Sequence, residues 1–134
     1  MIAHPRPNSD LARWYRQRLG SGDKFVVPEI ADYEVRRALI LASLTESIQK
    51  LDGLKGVLSY LPLTTDAMLR AAHFWAEMRR THIPTADDKG LDADVILAAQ
   101  AKSLESDSTE VIVVTDNIGH LARMVSARRW DEIH

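Results

Sequence analysis

Glu34, Asp92, Asp94 and Asp116 are the side chains of this sequence best suited to act together. They lie far apart in the chain, and each sits where a hydrophobic strand or helix begins or ends. Carboxylates placed this way can converge in a fold and hold a divalent metal. The chain has no cysteine and no histidine pair at ligand spacing. An all-oxygen ligand set suits a hard cation such as Mg²⁺ or Mn²⁺. Such cations activate water and stabilise an in-line phosphoryl transition state. Metal-assisted phosphodiester hydrolysis is therefore the chemistry to which these residues point.

Each acid also has a plainer reading. Glu34 shares a helical stripe with Ile30, Ala38 and Leu41, which turns it toward a core. A core-facing glutamate is costly unless it is paired or metal-bound. Alternatively, Arg37 three residues on neutralises it, or the helix is rotated and Glu34 is wet. Asp92 is well placed to cap the helix that follows, and the cap is its favoured role. Asp94 falls in the first turn, where the helix dipole also favours it. Its neighbours four and seven residues on are Ala98 and Ala101, so it points along a packed face and is favoured as a ligand over Asp92. Asp116 follows an apolar run, at the strand end where open α/β sheets bind ligands. The plainer alternative there is an Asp-Asn turn. Thr115 and Asn117 are suited to hold that loop or to position a water. His120 has no partner at ligand spacing and reads as structural or solvent-facing.

The elements that would position these acids alternate between strand and helix. A helix is expected over about 11–19, stopped by Gly20 and Gly22, then a short strand at 25–27. A long helix follows from about 29 to 49, with a break at Gly53 and Gly56, then a strand over 57–63. Thr64 or Thr65 caps a helix over 66–81. Residues 82–91 read as a loop, 92–104 as a helix rich in alanine that can pack closely on a sheet, and 105–110 as a polar turn. Val111-Ile112-Val113-Val114 reads as a strand buried on both faces, and 118–127 as a short helix. The alternation argues an α/β fold with a central parallel sheet flanked by helices.

The 134 residues fit a single domain spanning 1–134, with a hydrophobic content of 46%. The net charge of −2 gives no global basic footprint for nucleic acid. Local basic clusters remain: Arg13, Arg16 and Arg18, then Arg36 and Arg37, Arg79 and Arg80, and Arg128 and Arg129. They read first as solvated faces and second as phosphate contacts. Thiolate zinc sites and disulfides are excluded. No long apolar run or signal-peptide pattern occurs, and a cytoplasmic location with no membrane partner is the simplest expectation.

Four segments, taken in order, resemble the PIN-domain family. Phe25-Val26-Val27-Pro28-Glu29-Ile30-Ala31-Asp32-Tyr33-Glu34-Val35-Arg36-Arg37 resembles the segment that carries the family's glutamate. Leu91-Asp92-Ala93-Asp94-Val95-Ile96-Leu97-Ala98-Ala99-Gln100-Ala101 resembles its acidic helix start. Val113-Val114-Thr115-Asp116-Asn117-Ile118-Gly119-His120-Leu121 resembles its last motif, and Trp130-Asp131-Glu132-Ile133 its final strand. The likeness runs from about Pro5 to Ile133, and its specificity lies in the order of the motifs. It implies a three-layer sandwich around a parallel sheet and an acid cluster binding Mg²⁺ or Mn²⁺. It also implies ribonuclease activity, as in the toxins of VapC-type toxin–antitoxin pairs. Carried onto this chain, the metal-binding and catalytic roles fall on Glu34, Asp94 and Asp116, with Asp92 assisting and Thr115 and Asn117 alongside. Expected partners are RNA, contacted through Arg36, Arg37, Arg79 and Arg80, an antitoxin protein, and a second copy in a homodimer.

The family opens with a hydrophobic strand ending in Asp-Thr-Asn or a similar triplet, which supplies a first metal ligand. Met1-Ile2-Ala3-His4-Pro5 takes its place here, and no acid precedes Asp10. By resemblance that strand is central in the sheet. The favoured expectation is a natural sequence truncated at an internal methionine. Its competitor is a degenerate member whose sheet is completed another way, by a partner chain for example. Either would weaken metal affinity and impair cleavage. The alternative function is then a catalytically inactive module that binds RNA or a protein.

Overall fold

The computed structural model describes residues 9–81 and 90–133. They form an α/β arrangement, mostly helical, with five α-helices and two short parallel sheets. The chain divides into two compact units, Met1–Leu61 and Pro62–His134. The expected opening segment and most of the expected 82–91 loop lie outside the described residues.

In the first unit, α1 (Ser9–Gly20) closes through Gly22, whose φ of 90° lets the chain turn left-handed. The Gly22 amide then donates to the Leu19 carbonyl and the Asp23 amide to that of Arg18, satisfying the free end of the helix. Trp14 and Tyr15 each meet Phe25 in an inclined edge-type contact, with ring centroids 5.6 and 4.7 Å apart. Strand β1 (Val26–Pro28) runs directly into α2 (Glu29–Leu41). The expected single helix over 29–49 is in fact two, α2 and α3 (Thr45–Val57). The break falls at Ser43, which adopts φ 55° while the amides of Ser43 and Leu44 close back onto Ile40 and Leu39. A serine performs a turn that glycine usually makes, so residue type gave no stop signal. Gly53 and Gly56, read as the break, lie inside α3. Strand β2 (Ser59–Leu61) pairs parallel with β1, Val27 opposite Tyr60.

The second unit begins with α4 (Thr65–Thr81). Thr64 caps it as expected, its Oγ1 accepting from the Ala67 amide at 3.0 Å. Helix α5 (Leu91–Leu104) is buried along two faces. Leu91, Val95 and Ala99 pack with Ala67, Ala71 and Met78 of α4, while Ala98 and Ala101 meet Leu121 and Val125. Ala98 and Ala99 are wholly inaccessible, and their small side chains permit that close approach. Strand β3 (Val113–Val114) pairs parallel with β4 (Ala127–Arg128), and a 3₁₀ turn at Gly119–Arg123 lies between them.

Three expectations for this unit need correction. The run 111–114 is not buried on both faces: only Val113 and Val114 are strand, and Val114 is 36% exposed. Apolar composition reports a tendency to pair, but pairing extends only as far as a neighbouring backbone does, here from Ser126 to Arg128. The 118–127 helix is replaced by the 3₁₀ turn and β4. The closing Trp130–Glu132 is a second 3₁₀ turn and not a strand. No helix among the described residues is long and apolar enough to cross a membrane.

Candidate functional site

Asp94 sits in the first turn of α5, half-buried, at the head of the face that continues through Ala98 and Ala101. That is the packed face expected of it. Its amide closes onto the Gly90 carbonyl at 2.9 Å, and one carboxylate oxygen lies 3.8 Å from where a side-chain carbon at Gly90 would stand. The helix begins at Leu91 with Gly90 in the cap position, and no side chain caps it. Asp92 is therefore one residue inside the helix and exposed, not its cap, although the dipole still favours it there.

Asp116 lies two residues past β3 and is exposed. The loop that carries it is tied by Thr115, whose Oγ1 accepts from the Asn117 amide at 3.1 Å. Asn117 is held close to Gly119, where φ is +26° and an added side-chain carbon would come within 3.0 Å of Asn117 Oδ1. Of the two tasks read for Thr115 and Asn117, holding the loop is the visible one. Between α5 and β3 the chain reverses through the turn in which Ser106 pairs antiparallel with Thr109. Asp94 and Asp116 both belong to the second unit, one in the first turn of α5 and the other past β3.

Glu34 belongs to the first unit. It is half-buried, with Arg37 Nη2 3.8 Å from its carboxylate. The expected inward stripe is rotated. Ile30 is buried, but Ala38 is exposed and Leu41 is 88% exposed. The inward residues of α2 are instead Asp32 and Leu39, seven apart. Asp32 is 7% exposed and is held by Arg36, with Nε 3.0 Å from Oδ2 and Nη2 3.1 Å from Oδ1. Arg36 Nη2 also reaches Asp52 Oδ1 on α3 at 2.7 Å. Hydrogen bonds to Asp32 first, and then to Asp52, hold the guanidinium even more firmly in its charged form than usual. Arg36 is thus engaged in joining α2 to α3. The i, i+4 spacing of Asp32 and Arg36 was visible in the sequence; which face turned inward was not.

Beside this cluster, burial raises the Tyr60 hydroxyl above its ordinary 10.0, and the carboxylates of Glu29 and Asp32 push it in the same direction. Arg37 stacks on Tyr33 with its guanidinium carbon 5.1 Å from the ring centre, and Arg79 on Trp75 at 5.2 Å. Arg80 is exposed in the last turn of α4, where a cation suits the helix dipole. The side chain of His120 lies outside what is described.

The available donors are carboxylate oxygens, which fit a hard divalent cation in kind. Among the described residues, neither unit by itself gathers three acidic or histidine side chains in one group that could hold a metal. Asp92, Asp94 and Asp116 all belong to the second unit, the first two in the first turn of α5 and the third past β3. No family model matches the chain, and no curated protein or solved structure matches it either.

Proposed function

We propose that this chain is a PIN-like, divalent-metal-dependent ribonuclease domain that hydrolyses RNA phosphodiesters. The observation that supports this reading is the order of the acidic motifs, with Asp94 half-buried in the first turn of α5 and Asp116 on the tied loop past β3, both in the second unit. Asp94 and Asp116 are the ligands for Mg²⁺ or Mn²⁺, and Asp92 supports them from the first turn of α5. A ligand role for Glu34, which lies in the first unit, draws support from its sequence motif alone. A cation of this kind, when bound, supplies positive charge to a phosphodiester under attack by water. Asp94 and Asp116 orient the site, and the tied 115–119 loop keeps the Asp116 backbone fixed. The sandwich architecture, the antitoxin partner and the homodimer belong to the same proposal and draw support only from the ordered motifs.

The test is cleavage of single-stranded RNA with Mn²⁺, measured for the whole chain and for Asp94→Asn. The expected result is cleavage that EDTA stops and that the substitution lowers by about a hundredfold or more. Cleavage equal in both proteins removes the site assignment. RNA or protein binding without any cleavage identifies an inactive module instead.

A further inference from the structure

A groove of about 470 Å³ opens on the second unit between the end of α5 and the chain from Ala122 to Arg128. Its charged lining is Lys102, Glu105, Arg123 and Arg128, three cations against one carboxylate. That balance is unusual in a chain whose net charge is −2. The carboxylate is already engaged, because Lys102 Nζ lies 3.1 Å from Glu105 Oε2. Among the described residues, neither Arg123 nor Arg128 forms a salt bridge, and both are exposed. Two guanidinium groups on one groove repel each other, and an anion between them relieves this. A guanidinium offers a planar fork of donors that matches phosphate oxygens two at a time. Ser126, exposed on the same wall, adds a hydroxyl. A mostly polar wall suits phosphate and ribose better than the aromatic and aliphatic anchors of a peptide.

We infer that this groove binds the sugar-phosphate backbone of single-stranded RNA, with Arg123 and Arg128 each taking a phosphate. The choice of RNA among polyanions rests on the ribonuclease reading above. None of Arg36, Arg37, Arg79 and Arg80 lines this groove. It lies where the 3₁₀ turn and β4 present their arginines together, which sequence spacing does not reveal.

Fluorescence anisotropy with a short labelled single-stranded RNA tests this, using the whole chain in EDTA so that cleavage plays no part. Arg123→Ala/Arg128→Ala is expected to weaken binding about tenfold at fixed salt and to reduce the slope of log K against log salt by about 1.4, or 0.7 per lost phosphate contact. Arg123→Lys/Arg128→Lys should keep most of that slope, since a lysine retains the charge. Arg13→Ala/Arg16→Ala should change neither. The inference is overturned if the groove variant binds as wild type does, if the Arg13 and Arg16 variant loses as much, or if wild type binds no RNA. It is also overturned if inorganic phosphate at millimolar concentration displaces the RNA, which would mark a simple anion site. The two readings fail separately. Binding through the groove without Mn²⁺-dependent cleavage sinks the nuclease and keeps the groove. Cleavage that depends on Asp94 with neutral groove variants sinks only the groove.

Discussion

Replacing Arg36 by alanine should be among the most damaging single changes in the first unit. The substitution removes three hydrogen-bond contacts, two to Asp32 and one to Asp52. It leaves the carboxylate of Asp32, 7% exposed, without its cation. Breaking a buried pair by removing one partner costs about 3–5 kcal/mol when the orphaned charge stays dry. The Arg36 side chain is 26% exposed, so water can enter where it stood, and a cost of about 2–3 kcal/mol is the better expectation. Asp52 is different: its side chain is 59% exposed, and Asp52→Ala should cost less than about 1 kcal/mol. Urea unfolding followed by far-ultraviolet circular dichroism measures both. Adding Asp32→Asn to Arg36→Ala should recover part of the loss, because no charge is then stranded. A loss for Arg36→Ala below about 0.5 kcal/mol, or one no larger than that of Asp52→Ala, would refute the claim that this arginine secures α2 against α3.

Three further outcomes follow from the same geometry. Ser43→Gly should stabilise the chain by about 0.5–1 kcal/mol, since glycine adopts φ 55° without the penalty serine bears; a loss in urea unfolding would contradict this. Gly53→Ala and Gly56→Ala should each stabilise by a similar ~0.5–1 kcal/mol, because both lie inside α3 with nothing within 4 Å of the added carbon; unchanged or lower melting temperatures would contradict this. Tyr60 has its hydroxyl raised above 10.0 in the fold, so the stabilisation it contributes is fully present below pH 10.0 and is lost as pH rises through the higher folded value. Ultraviolet titration of tyrosinate should show a step above pH 10.0 that Tyr60→Phe removes and Glu29→Gln moves downward; a step unmoved by Glu29→Gln would contradict the part given to Glu29 beside burial.

The sequence revealed those features whose signal is local. The cap at Thr64, the stop of α1 at its glycine turn and the alanine-rich packed face of α5 were each legible, because one or two side chains determine them. The break between α2 and α3 was not legible, because it depends on a serine adopting an uncommon backbone conformation. The rotation of α2 was also hidden. Two stripes of that helix carry acids, and the inward one is Asp32, held by Arg36, which also reaches Asp52 sixteen residues on in another helix. Sheet assembly is the least local property. Four consecutive apolar β-branched residues predict a strand, yet the number of neighbours each strand finds depends on distant backbone. The described residues pair as β1 with β2 and β3 with β4. Of the site, the positions of Asp94 and Asp116 at element ends were legible, whereas the basic groove required the turn between β3 and β4 to bring Arg123 and Arg128 to one wall.

The claim most central to this account is that Asp94 and Asp116 serve one divalent cation. Electron paramagnetic resonance titration of Mn²⁺ tests it directly on wild type, Asp94→Asn, Asp116→Asn and the double variant. If both carboxylates hold the same ion, each single change should weaken binding by about tenfold or more, and the double variant should lose much less than the product of the two. Losses that multiply independently, or Mn²⁺ binding that neither substitution alters, would contradict the account.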